Sequence, residues 1–314
     1  MEQIRAVVVD PGVPDRLVLR QVPAPAALPS EALVRVAAVS LNLGEVRRSM
    51  TAEAGWRPGW DLAGTVEQAA ADGSGPAVGS RVVGFVPSGA WAEMVPVPTS
   101  ALAVLPETVS LAQAATLPVA GLTALYALDR HNGTLLGRSV LVTGASGGVG
   151  YFGCQLARHA GARVVGVVRR PERETYALEA GAHDVVSGEE STAAGKFAPY
   201  HVILESVGGS MLGGALSMLA PDGVCVLYGV SAAADVTFNA RDFFTTGGAS
   251  LYGFILFHEV KKHPAADGLA RLVRLVAAGS LRPPIEVEAP WTDIAAVAQK
   301  FYQRGIPGKA VLRL

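Results

Sequence analysis

The sequence predicts an α/β protein built of two parts, a small β-barrel and a doubly wound parallel sheet. Three observations predict it. The first third of the chain is a series of short valine-rich runs broken by proline and glycine. The middle alternates apolar strands with single helices. Within that middle, LVTGASGGVG, Leu141 to Gly150, carries a strand into a glycine-rich turn.

Residues 6–9, 17–20, 32–39, 64–67, 81–85 and 92–97 are the expected strands of the first part. Pro11-Gly12, Pro23, Pro25, Asp72-Gly73 and the stretch from Pro87 to Gly89 punctuate them. Strands so short and so regularly broken fit a barrel better than an open sheet. From about Leu111 the rhythm changes. Residues 111–117 and 121–130 carry helical spacing. Strands at 138–143, 163–168, 184–186, 201–205 and 223–229 then alternate with helices at 149–159, 171–180 and 210–219. Apolar strands joined by single helices imply a parallel sheet covered on both faces.

An apolar run at 251–257 reads as one more strand. The tail offers helices at 266–278 and 292–304 and strands at 285–288 and 310–313. It is too small to hold a core alone and is expected to complete the barrel. The domains are therefore expected at 1–117 with 258–314, and at 118–257.

Composition narrows the function. Half of the 314 residues are apolar and 17% are charged, and the formal net charge is −1. No run of five basic residues occurs, so the chain shows no footprint for nucleic acid or an anionic membrane surface. No run of about 18 apolar residues appears, so no membrane span is expected. The two cysteines, Cys154 and Cys225, form no CxxC and read as buried small residues. The start, MEQIRAVVVD, lacks a signal-peptide design, and a cytoplasmic location is the default expectation.

The glycine turn satisfies two fingerprints. Thr143, Gly144, Gly148 and Gly150 spell TGxxxGxG, while Ala145, Gly147 and Gly150 spell AxGxxG. In either, closely spaced glycines between strand and helix let backbone N–H groups approach a pyrophosphate at the helix N-terminus. The first belongs to short-chain dehydrogenases, which need a tyrosine four residues before a lysine. The five lysines, Lys196, Lys261, Lys262, Lys300 and Lys309, have Thr192, Phe257, His258, Ala296 and Gly305 there. That reading fails.

The second holds over nearly the whole chain. VAAVSLNLGEVRRS (from Val36), RPGWDLAGTVE (from Arg57), VGSRVVGF (from Val78), SGAWAEMVPVP (from Ser88), AATLPVAGLTALYAL (from Ala114), HVILESVGG (from His201) and the closing GKAVLRL follow one another in order. Together they resemble the medium-chain dehydrogenase/reductase superfamily in its zinc-free quinone oxidoreductase branch. The resemblance implies a GroES-like barrel domain carrying catalysis and a Rossmann domain for a dinucleotide. Zinc-dependent members use cysteine and histidine ligands. Here no cysteine precedes Cys154, and Trp60 stands in the turn after Pro58 where a histidine would ligate.

Without a metal, the chemistry the resemblance implies is hydride transfer to a conjugated acceptor, a quinone or an α,β-unsaturated carbonyl. Asn42 and Glu45 match the branch's polar pair near the nicotinamide. Arg47 stands where the branch often has tyrosine and could hold a carbonyl oxygen or an acidic group. The same alignment of motifs assigns cofactor contacts to Thr123, Ala145, Ser146, Gly147, Gly148, Val149, Gly150, Val207, Gly229, Val230 and Phe254. Trp56, Trp60, Trp91, Phe254 and Phe257 are candidates for an aromatic pocket wall or for the core.

The nicotinamide is read from the next strand end. An NAD-preferring fold places an acid about 20 residues past the turn. This chain has Arg169-Arg170 there, followed by Arg173, and no acid. Guanidinium groups fit the 2′-phosphate of NADP(H). Two other readings stay open: an accessory enoyl-thioester reductase, and a catalytically idle relative like the zeta-crystallins. ASLYGFILF, residues 249–257, is a long apolar strand candidate at a sheet edge, and both its lack of protecting charge and the resemblance imply a homodimer.

Overall fold

The computed structural model describes residues 2–314. The chain divides into two compact units, Met1–Leu122 with Val260–Leu314, and Thr123–Glu259.

In the first unit the strand Glu31–Ser40 is the hub. Its alternating EALVRVAAVS buries Ala32, Val34 and Val36 on one face. It pairs antiparallel with Asp61–Gln68, with Met94–Pro98 and with the C-terminal strand Lys309–Arg313. The sheet runs in the order Ile285–Pro290, Lys309–Arg313, Glu31–Ser40, Asp61–Gln68, Arg81–Phe85, Leu102–Val104. The tail thus joins the N-terminal strands, as its small size required. Register places Ser40 opposite both Asp61 and Val311, so the ends of three strands converge there. A separate hairpin, Gln3–Val9 with Leu17–Pro23, is tied on by Val7 N–H to the Trp91 carbonyl.

The second unit is a six-stranded sheet, all parallel, in the order Asp184–Ser187, Arg163–Val168, Ser139–Thr143, Tyr200–Glu205, Leu219–Leu227, Ser250–Gly253. Numbered along the chain this is 3-2-1-4-5-6, the doubly wound order, whose direction reverses between Ser139–Thr143 and Tyr200–Glu205. Leu141, Val165, Ile203, Leu212, Leu216 and Cys225 form its core. Both cysteines are buried, and burial pushes the Cys154 thiol up to about 12.

Two expectations need correction. The strand at 251–257 is Ser250–Gly253 only, and a short helix, Leu256–Glu259, follows. The last ladder bond runs from Phe254 N–H to the Leu227 carbonyl, after which Phe254 and Leu256 turn inward. Periodicity cannot separate strand from helix in a run that is apolar throughout. The second is a helix, Leu43–Ser49, where none was anticipated. No helix among the described residues is long and apolar enough to cross a membrane.

Candidate active site

At the reversal point of the doubly wound sheet, the strand Ser139–Thr143 ends in Gly144, whose φ of +61° is the left-handed conformation that glycine adopts without strain. Gly147 caps the 12-residue helix Gly148–His159, whose first N–H groups have no intrahelical partner, the arrangement that suits an anion. The two glycines of the fingerprint differ in what surrounds them. A Cβ on Gly150 would lie 2.3 Å from the Gly144 carbonyl oxygen and 2.8 Å from Ala145 Cα, so this glycine lets the helix cross its own turn. A Cβ on Gly147 would meet only that oxygen, at 3.3 Å, and the residue is exposed.

Neighbouring strand ends complete the crevice. A Cβ on Gly144 would lie 2.8 Å from Ser206 Oγ, and one on Gly229 would lie 3.2 Å from the Ser206 carbonyl. Beneath them Glu205 accepts from Thr143 Oγ1 at 3.1 Å and from Val207 N–H at 2.9 Å. Burial raises the Glu205 carboxyl above its usual range, and those hydrogen bonds oppose the shift. Ala145 and Thr123 are buried, Ser146, Gly148, Val149 and Val207 are half-buried, and Val230 is exposed. The structure therefore gathers the turn with Val207 and Gly229. It does not present Phe254, whose side chain is 3% exposed and belongs to the packing; the same holds for Trp91 in the first unit.

Arg169 and Arg170 follow the strand Arg163–Val168, which lies beside Ser139–Thr143. Both are exposed, and neither guanidinium makes a hydrogen bond or ion pair among the described residues. The dinucleotide fits these features. Gly147 is exposed and leaves room at the helix N-terminus, Gly150 lets the helix cross its own turn, and two unpaired cations stand at the end of the adjacent strand.

In the first unit, Asn42 precedes the helix Leu43–Ser49 and is only 8% exposed. Glu45 Oε1 accepts from Asn42 N–H at 2.7 Å and from Asn42 Nδ2 at 3.0 Å. The same Nδ2 donates to Asp61 Oδ2 at 2.8 Å. Lys309, 2% exposed, donates from Nζ to Asn42 Oδ1 at 2.6 Å, to the Leu41 carbonyl at 2.8 Å and to Asp61 Oδ2 at 3.3 Å. Ser40 Oγ and Val119 N–H also donate to Asp61, at 2.7 and 2.9 Å.

Both Asn42 amide protons are thus committed to carboxylates. What it could offer a ligand is a lone pair on Oδ1. Burial first, then the nearby Asp61 charge, push the Glu45 carboxyl well above its usual range, while Lys309 and the Asn42 hydrogen bonds pull the other way. A neutral Glu45 leaves Asp61 and Lys309 as a balanced ion pair in a buried site. Arg47 lies about 200° round the helix from Glu45 and is exposed, so the two do not act on the same side.

Lys309, Asp61 and Ser40 are the residues that reading the sequence missed. GKAVLRL, RPGWDLAG and VAAVSLNLGEVRRS carry them as unexplained motif members. The one signal was an aspartate and a lysine each standing directly before a short apolar stretch, LAG and AVL.

A glycine turn at the reversal point of a doubly wound sheet, in one chain with a second unit that takes both termini, defines a two-domain dehydrogenase or reductase. The family described as "Alcohol dehydrogenase GroES-like domain" matches residues 28–107, and "Zinc-binding dehydrogenase" matches residues 148–272. The quinone oxidoreductase of Homo sapiens is 30% identical over 267 residues, covering 82% of this chain and 80% of its own. The chain belongs to the medium-chain dehydrogenase/reductase superfamily, in its quinone oxidoreductase branch. The spectinabilin polyketide synthase system protein NorB of Streptomyces orinoci is 32% identical over 279 residues, 87% of this chain but 13% of that protein. A mycobacterial protein solved in complex with NADPH superposes with a TM-score of 0.87 at 25% identity, covering all of both chains.

Proposed function

We propose that the protein is an NADPH-dependent oxidoreductase that reduces a quinone or an α,β-unsaturated carbonyl without zinc. The observation that carries this is the pair of unpaired guanidinium groups at Arg169 and Arg170, beside a glycine turn shaped for a pyrophosphate. The mycobacterial neighbour bound to NADPH supports the same cofactor. Bound there, NADPH supplies the hydride. The chain's own residues do the rest: the helix N-terminus and Gly147 receive the pyrophosphate, and the arginines select the 2′-phosphate. In the first unit, the Asn42–Asp61–Lys309 network holds the Leu43–Ser49 helix in place. Trp60 in the turn after Pro58 supplies no ligand for zinc.

The likeness to a stretch of a polyketide synthase protein favours one second reading, an enoyl thioester as the acceptor. NADPH oxidation assayed against quinones, free enones and enoyl thioesters, with and without a chelator, separates these. Turnover of quinones or enones that survives chelation is the expected result. Turnover of thioesters alone would favour the second reading, and loss on chelation would reject zinc independence.

A further inference from the structure

The parallel sheet has a second end. At the amino ends of its central strands lies an open cavity of about 650 Å³, lined by Arg130, His131, Arg138, His201, Asp222 and Ser250 among others. Arg138 and the glycine turn flank the same five-residue strand, Ser139–Thr143. The length of that strand, about 17 Å, separates the cavity from the cofactor crevice. Two arginines and two histidines face it against one carboxylate, Asp222.

The hydrogen bonding around His201 is incomplete as it stands. Ser139 N–H lies 3.2 Å from His201 Nδ1, which must accept, so a neutral ring carries its proton on Nε2. Arg138 Nη1, which can only donate, lies 3.1 Å from Nε2. Moving the proton to Nδ1 frees Nε2 to accept and sets Nδ1–H against Ser139 N–H. Charging the ring sets donor against donor at both ends. No protonation state satisfies both neighbours. An acceptor seated beside the Nε2–H and Nη1 would take a hydrogen bond from each. On the same cavity Arg130 stacks over the Tyr252 ring at 4.0 Å, and its Nε is buried with no hydrogen-bond partner among the described residues.

We propose that this cavity binds a phosphate group, inorganic or as the monoester of a small metabolite, through Arg138 and His201, with Arg130 supplying further positive charge and His131 lining the site. A dianion matches the two guanidinium groups, and a volume of this size holds more than the phosphate alone. The site is independent of the cofactor reading, since the sheet stands between them.

The test is a titration of the full chain with inorganic phosphate, and in parallel with a hexose phosphate, at ionic strength held constant with chloride. The ring signals of His131 and His201 are followed by NMR, with and without NADPH. Both should move saturably with phosphate, and NADPH should leave the binding unchanged. Arg138→Gln should weaken it by about tenfold or more while the melting temperature holds. His131→Gln, outside the sheet's hydrogen bonding, serves as the second variant. Tighter binding of the hexose phosphate would identify a monoester, and equal binding free phosphate. Histidine signals that respond no more to phosphate than to chloride, or an undiminished affinity in both variants, would overturn the proposal.

Discussion

Glu45 is fully buried, and its Oε2 has no hydrogen-bond partner among the described residues. Its folded pKa is raised, above an unfolded value of about 4.3. Between the two values the native state binds more protons, so this group's stabilising contribution, complete at acid pH, is lost as pH rises through the window. Glu45→Gln removes the ionisation and keeps an oxygen for the Asn42 N–H. Urea denaturation should therefore find the variant gaining on the parent as pH rises above the unfolded value of about 4.3, by up to about 1.4 kcal/mol per pH unit inside the window. A parent–variant difference that does not change with pH would mean Glu45 titrates normally. Lys309→Met is the opposite case. It strands the Asp61 charge in a buried site and should cost about 3–5 kcal/mol in the same measurement.

At the scale of the elements, the two fingerprint glycines should part company. Gly150→Ala drives a Cβ into backbone atoms that cannot yield, as the 2.3 Å approach shows, and should cost about 1–3 kcal/mol in thermal or urea unfolding. Gly147→Ala meets one oxygen at 3.3 Å; it should fold within about 1 kcal/mol of the parent and bind NADPH more weakly, as quenching of tryptophan fluorescence would show. Equal stability losses in the two variants would contradict this division. The sequence made the turn, its strand and its helix legible because glycine spacing and apolar strands are local signals. It hid the Leu43–Ser49 helix, where NLGEVRRS has too few turns for a period to register. It also hid the Lys309–Asp61–Asn42 node, whose partners lie far apart in the chain and meet only through the register of three strands. The apolar run after residue 249 reads as one long strand because nothing in its composition marks the inward turn that follows the last ladder bond at Phe254 and buries Leu256.

At the scale of the whole molecule, the strand Ser250–Gly253 ends the parallel sheet with no strand on its outer side among the described residues, and Leu251 within it and Ile255 just after it are 42% and 64% exposed. An exposed apolar edge is a template for pairing with another chain, and a second copy about a two-fold axis would cover it. Light scattering at micromolar concentration should give a dimer, and Leu251→Lys should shift it toward monomer without lowering the melting temperature of the monomer's own fold; a monomeric parent would refute this. The central claim concerns the cofactor. Isothermal titration of NADPH and of NADH into the parent and into the Arg169→Ala, Arg170→Ala double variant tests it most directly. Each charge-assisted hydrogen bond to the 2′-phosphate contributes about 1.5–3 kcal/mol. The parent should therefore prefer NADPH, and the variant should lose about tenfold or more of its NADPH affinity with NADH nearly unchanged. Equal losses for the two cofactors, or a parent that binds NADH as tightly as NADPH, would contradict the account.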